Sequence, residues 1–258
     1  MTDQSLKVTV KVSESRWREA QDWERDGWIA TEKKRARFFK NWIWPVFSVL
    51  GLKPRYRGND WNDWWADHFG HYHFLPDHVG NAIELGCGPY TNWRLIGERC
   101  HAEHLVLSDP LIRTYVGFPH TFLRHLYRKA ACMVDDHPIE DCPFSSGRFD
   151  LVVMINVLDH VRDAEVCLQT ALRLVRPGGW LIVGQDLTDA GDLERLRDAP
   201  GHEGHPITVD EAWMRTQLGD ALEPVVDCVL PREKGRCPEH HSGTFLIAGQ
   251  RRAVRPLY

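Results

Sequence analysis

The chain has 258 residues, enough for one large α/β domain or a core with an added cap, and enough to bury a core without disulfide or metal staples. Hydrophobic residues make up 43% and charged residues 26%, as in an ordinary globular chain, and a net charge of −4 argues against a general nucleic-acid binder. The cysteines at 87, 100, 132, 142, 167, 228 and 237 never stand two to four residues apart, which excludes zinc-type pairs and fits reduced thiols in a cytoplasmic protein.

The first residues, Met1 to Lys7, lack the apolar run of a secretory signal, and no apolar stretch has the length of a bilayer span. A cytoplasmic location without a membrane span is therefore expected. Eight of the eleven tryptophans fall in the first 65 residues. That composition divides the chain near residue 80, into a helical, aromatic-rich N-terminal cap (1–80) and an α/β domain (81–258).

In chain order, Lys7–Val12 alternates polar and apolar residues, as a short strand does. Ser13 or Ser15 is placed to cap a helix through Trp17, Ala20, Trp23 and Trp28, and a second helix is predicted over Thr31–Trp44. Trp42–Leu50 is too short to cross a bilayer and is interrupted by Pro45, so a membrane-surface role is only a minor reading. Gly58-Asn59-Asp60 reads as a turn, and Trp61, Trp64, Trp65 and Phe69 follow at helical spacing. These aromatics either pack a cap onto the core or line an acceptor pocket; Trp61, Trp65 and Tyr72, just ahead of the glycine loop, are the candidate acceptor contacts.

From residue 81, apolar runs alternate with helical patterns. Strands are predicted at Ala82–Leu85, Leu105–Leu107, Ala131–Val134, Asp150–Ile155, Trp180–Gly184, Pro224–Leu230 and Thr244–Ala248. Helices are predicted at Thr91–Arg99 and Ala164–Leu174, the latter stopped by Pro177-Gly178-Gly179. Strands separated by helices imply an α/β fold, a doubly wound and mostly parallel sheet.

Glu84-Leu85-Gly86-Cys87-Gly88-Pro89 stands between a strand and a helix. Glycines there turn the backbone sharply and let a ligand approach it closely. Ligands of open parallel sheets bind beyond the carboxyl ends of the strands, where Asp109 ends the next strand and can accept hydrogen bonds from ribose hydroxyls. A dinucleotide site would usually have a third glycine where Thr91 stands, and the Gly-Lys-Ser/Thr of a phosphate loop is missing.

Residues 82 to about 184 resemble the class I, Rossmann-like S-adenosylmethionine-dependent methyltransferases in four motifs. These are Glu84–Gly88, Asp109, the Ile139–Phe144 stretch followed by Gly147-Arg148-Phe149-Asp150, and Arg176–Gly179. The resemblance implies a seven-stranded Rossmann-like sheet and S-adenosylmethionine as cofactor. By the same resemblance Gly86, Cys87 and Gly88 run under the cofactor and Glu84 lies near its ammonium. Asp109 holds the ribose, Ile139 and Glu140 flank the adenine, and Asn156 meets the methionine part or caps the next helix. The family usually has Gly-Asp-Ala where this chain has His137-Pro138-Ile139, and Pro138 offers no backbone donor.

Methyl transfer to a hydroxyl needs the acceptor oxygen held in line and its proton removed. Asn156-Val157-Leu158-Asp159-His160-Val161 resembles the acid–His–Val stretch of small-molecule methyltransferases, which makes His160 the candidate base; its other reading is a structural or cofactor-contacting histidine. Asp186 is a candidate to orient that base or bind a substrate hydroxyl, or it caps a helix. His205 is a candidate acceptor contact. A metal site of Asp186 with His202, His205, His240 and His241 is conceivable, but the spacing matches no metal signature, so none is expected.

The expectation is an O-methyltransferase acting on a small-molecule or glycan hydroxyl, with no nucleic-acid partner and no inference about oligomeric state. The alternatives are C- or N-methylation of a ring or amine, and a non-catalytic cofactor-binding module.

Overall fold

The computed structural model describes residues 8–38, 46, 49–51, 56–189, 191–192 and 202–253. Helix α1 is continuous over Glu14–Phe38, where two helices were expected. No proline interrupts that stretch, and a side chain at Gly27 would meet nothing within 4 Å, so Gly27 does not mark a break. The Ser13 hydroxyl accepts a hydrogen bond from the Arg16 backbone N–H at 3.2 Å, making Ser13 the cap. Most of Trp42–Leu50 lies outside the described residues, as does the predicted helix beyond Phe38. No helix among the described residues is long and apolar enough to cross a membrane.

Helix α2 (Asn59–His68) precedes strand β1 (His78–Leu85). Then come α3 (Trp93–Arg99), β2 (His101–Ser108), α4 (Ile112–Tyr115), α5 (Phe122–Arg128) and β3 (Met133–Asp135). Strand β4 (Phe149–Ile155), α6 (Ala164–Leu174), β5 (Val175–Leu187), α7 (Glu211–Leu218), β6 (Leu222–Pro231) and β7 (Gly243–Arg251) complete the order.

The seven strands form one sheet in the order β3-β2-β1-β4-β5-β7-β6, parallel except for β7, which runs antiparallel between β5 and β6. Val152, Val153, Leu181 and Ile182 are fully buried, because helices cover both faces of the central strands. One face packs against α6 and α7 through Leu168 and Met214; the other packs against the N-terminal aromatics and α3 through Trp65, Phe69 and Ile96. At Gly184 of β5 an added Cβ would lie 2.7 Å from the Trp65 ring, so this glycine makes room for the indole. β1 has β2 on one side and β4 on the other, so the connections diverge at its carboxyl end and open a crevice there.

The predicted strand at Lys7–Val12 is not part of the sheet. Among its described residues only Lys11 makes a bridge, to Asp163. Val12 N donates to Arg162 O at 3.0 Å and Ala164 N to Val10 O at 2.9 Å, so the segment pairs with the loop before α6 instead of a sheet edge.

Candidate functional site

A cleft of about 940 Å³, its open mouth included, lies at the carboxyl ends of β1 and β4. Gly86 (φ 64°) and Gly88 (φ 55°) turn the chain there in the left-handed region. The two glycines are required for different reasons. A Cβ on Gly86 would stand 2.5 Å from Val157 Cγ1, whereas one on Gly88 would meet nothing within 4 Å. Gly86 lets the loops after β1 and β4 touch; Gly88 leaves open space against the backbone.

Asp109 faces this loop. Its Oδ2 accepts from Gly88 N at 3.0 Å and its Oδ1 from Leu111 N at 2.8 Å. Burial, reinforced by the Glu24 carboxylate, pushes Asp109 up to about 7 despite those donors. Each oxygen keeps a lone pair for a ligand hydroxyl. Cys87, Ile139, Glu140 and Asn156 also line the cleft. Glu140 Oε1 accepts from the backbone N–H groups of Arg162 and Asp163 at 2.7 and 3.0 Å, fixing the adjoining loop. Asn156 adopts φ 56°, a conformation that asparagine tolerates, and its Oδ1 accepts from Asp186 N at 3.3 Å.

Glu84 is not on the cleft wall. It is buried at the base of α3, where it accepts from the Thr91 hydroxyl and from the backbone N–H groups of Asn92 and Trp93 at 2.9 and 3.2 Å. It thus satisfies orphan donors at a helix start, and burial pushes its pKa up against those bonds. Tyr72 likewise lies behind the cleft, fully buried, with its hydroxyl driven well above the ordinary range by burial.

Trp61 and Trp65 do line the cleft, with the Arg236 guanidinium 5.3 and 5.9 Å from their ring centres. Asp186 stands behind Arg236: its Oδ2 accepts from Arg236 Nη2 at 3.0 Å and its Oδ1 from the Thr244 hydroxyl at 2.8 Å. Asp186 therefore holds Arg236 at the cleft wall.

His160 is on the cleft wall. Its Nδ1 lies 3.1 Å from Gly204 O and 3.2 Å from Glu24 Oε2, and its Nε2 lies 3.7 Å from Asp159 Oδ2. Burial would lower its pKa, but Glu24 and Asp159 outweigh burial and hold His160 up at about 10. At neutral pH it carries a proton instead of accepting one, which counts against its role as sole general base. His205 is brought beside it, with ring centres 4.4 Å apart and His205 Nδ1 2.7 Å from Asp159 Oδ2. Asp159 is buried, yet the two imidazoles hold it ionised well below the usual carboxylate range.

Sequence reading missed Glu24 and Gln21 as cleft residues. Trp17, Gln21, Glu24 and Trp28 all line it from α1. Their spacing of four, three and four residues puts them on one helical face, the signal that could have found them. The Trp17 indole N–H and the Gln21 amide both donate to His160 O, at 3.2 and 3.1 Å, fastening α1 across the cleft.

The strand order, the glycine loop after β1 and the acid after β2 define a class I methyltransferase fold with its nucleoside crevice. Residues 55–221, more than half of the chain, match the family model of a methyltransferase domain, and the chain belongs to that family. It carries a methyltransferase domain, of a fold that binds S-adenosylmethionine in a solved neighbour. The residues fit that cofactor: Gly88 leaves open space, Asp109 presents two acceptor oxygens, and Ile139 offers an apolar wall.

The chain is similar to methyltransferase str2 of Strobilurus tenacellus, with 38% identity over 82 residues, 32% of this chain and 29% of that protein. It is also similar to methyltransferase str3 of the same organism, with 40% identity over 63 residues, 24% of this chain and 22% of that protein. In four curated relatives, these two included, the matched stretches cover between 2% and 36% of the relative's length. Among solved structures, the N-methyltransferase NodS of Bradyrhizobium japonicum WM9 shares the fold. Its TM-score is 0.54 at 19% identity, over 74% of this chain and 98% of that one. Geranyl diphosphate methyltransferase, solved with S-adenosylmethionine, aligns with a TM-score of 0.55 at 15% identity, over 74% of this chain and 84% of that one.

Proposed function

We propose that this enzyme O-methylates a hydroxyl group of a small-molecule or glycan acceptor. The observation that carries the reading is the group of Glu24, Asp159, His160 and His205, gathered where His160 meets the cleft. A neutral amine attacks through its own lone pair, whereas a hydroxyl must give up a proton as it attacks, and a group of two carboxylates with two imidazoles offers acceptors for it. Bound S-adenosylmethionine supplies the electrophilic methyl group. The chain's own residues hold the two partners: Asp109 and the glycine loop seat the nucleoside, and α1 screens the cleft from water. Trp61 and Trp65 offer ring faces on which a sugar or flat ring can stack.

The test is product analysis with a carbon-13 methyl donor and a panel of hydroxylated acceptors, read by NMR. The label is expected on oxygen. Label on nitrogen or carbon would overturn the reading. Tight retention of cofactor without turnover on any acceptor would favour a binding module.

A further inference from the structure

We propose that Asp159, His160 and His205 hold a divalent transition-metal ion at the acceptor end of the cleft. The ligand atoms already converge. His205 Nδ1 lies 2.7 Å and His160 Nε2 3.7 Å from Asp159 Oδ2, and the three residues each bring one ligand atom within 4.8 Å of the others. Around an ion with tetrahedral bonds of about 2.0–2.1 Å, neighbouring ligand atoms stand roughly 3.3–3.4 Å apart. The observed separations bracket that edge, so small side-chain adjustments close the site.

The surrounding hydrogen bonds point the same way. A metal-binding imidazole usually donates its other ring N–H to a carbonyl or carboxylate. His160 Nδ1 does so toward Gly204 O, 3.1 Å away, with the Glu24 carboxylate alongside, so the ion would take Nε2 in place of the proton that nitrogen carries in the metal-free fold. Asp159 Oδ1 accepts from Gln185 Nε2 at 3.1 Å, which turns Oδ2 toward the two imidazoles, where the ion would replace the hydrogen bond to His205 Nδ1. Gln185 is fully buried and held in place, its Oε1 accepting from the backbone N–H groups of Val157 and Leu158 at 3.1 and 2.9 Å.

Two imidazoles and one carboxylate suit zinc, cobalt, iron or manganese better than magnesium or calcium. They leave coordination open, and His160 puts the site on the cleft wall. The second His–carboxylate group, Asp135, Asp136 and His137, lacks this backing. Asp136 there is paired with Arg113 at 2.9 Å, and His137 is exposed.

The chemistry of the ion rests on the O-methylation reading; its binding does not. An ion beside the acceptor oxygen lowers the hydroxyl pKa. The O–H bond breaks with its proton leaving through the open mouth of the cleft to bulk water, and the oxygen forms the new O–CH3 bond. The S–CH3 bond of the cofactor breaks with its electron pair left on sulfur.

The test titrates Co2+ into the chelator-treated full chain and follows visible absorption. One equivalent is expected to give the weak bands of nitrogen and oxygen coordination. His205→Ala should lose them while still binding S-adenosylhomocysteine by calorimetry, and His137→Ala should keep them. If His205→Ala fails to bind S-adenosylhomocysteine, His205→Asn takes its place. No uptake, uptake that survives loss of the His205 imidazole, or intense thiolate-to-cobalt charge transfer would overturn the site. Since the titration involves no turnover, its failure is separate from a label found on the wrong acceptor atom.

Discussion

Glu24 of α1 and His160 of the loop after β4 form an ion pair beside the cleft, with Oε2 and Nδ1 3.2 Å apart. The pair couples the N-terminal helix to the loop that carries the Asp159 group. His160 pulls Glu24 below the ordinary carboxylate range although burial alone would raise it.

Glu24→Gln removes one charge of this pair. We expect about 1–3 kcal/mol of lost stability, the usual penalty for leaving a buried partner unpaired, read as a lower melting temperature. The pH dependence has a defined sign. A histidine raised to about 10 in the fold stabilises fully below its unfolded value of about 6.5 and loses that contribution as pH rises toward about 10. In the variant the loss should come at lower pH.

Asp109 gives the opposite window. Its folded value of about 7 lies above the unfolded one, so the cofactor-free fold keeps a proton that the unfolded chain has lost. Its contribution to stability should therefore fall as pH rises from about 4 to about 7. Over the upper part of that window the carboxylate charges and accepts ribose hydroxyls better, so the thermal shift given by S-adenosylhomocysteine should grow. Asp109→Asn should flatten both trends and weaken cofactor binding about tenfold to a hundredfold, equivalent to about 1–3 kcal/mol.

The two loop glycines should separate fold from binding. Gly86→Ala drives a Cβ into Val157 at 2.5 Å and should lower both melting temperature and cofactor affinity. Gly88→Ala meets nothing within 4 Å, so its cost is about 1–2 kcal/mol of left-handed backbone strain. Calorimetry should then find a larger loss in cofactor affinity than in stability, because the new methyl enters the space beside the cofactor.

Trp61 and Trp65 differ in burial, at 45% and 4% exposed. Trp65→Ala should cost about 3–5 kcal/mol, as removal of a core aromatic does. Trp61→Ala should leave the melting temperature nearly unchanged and raise the acceptor KM. Steady-state kinetics beside thermal unfolding would read both.

The central sheet was legible because its strands are apolar runs bounded by turn-forming residues such as glycine, aspartate or asparagine: Asp150–Ile155 and Trp180–Gly184 both fall within observed strands. The cofactor loop was legible for a related reason, since left-handed turns at Gly86 and Gly88 require a particular residue type. Glu84 shows the limit of motif reading. Its position matched, but the donors that claim its carboxylate, Thr91, Asn92 and Trp93, belong to the next helix start. The Asp159 group was only half visible, because His205 stands 46 residues away at the end of a sequence stretch without periodicity. Arg236 was missed for the same reason: an arginine between two late strands carries no sign that Asp186 will aim it at two indoles.

The fastening of α1 across the cleft also sets a clock. Spent cofactor that leaves past this wall departs only after the Trp17 and Gln21 donors release His160 O. The interactions that exclude water during methyl transfer therefore delay product escape, and loosening them should speed exchange while exposing the chemistry to solvent.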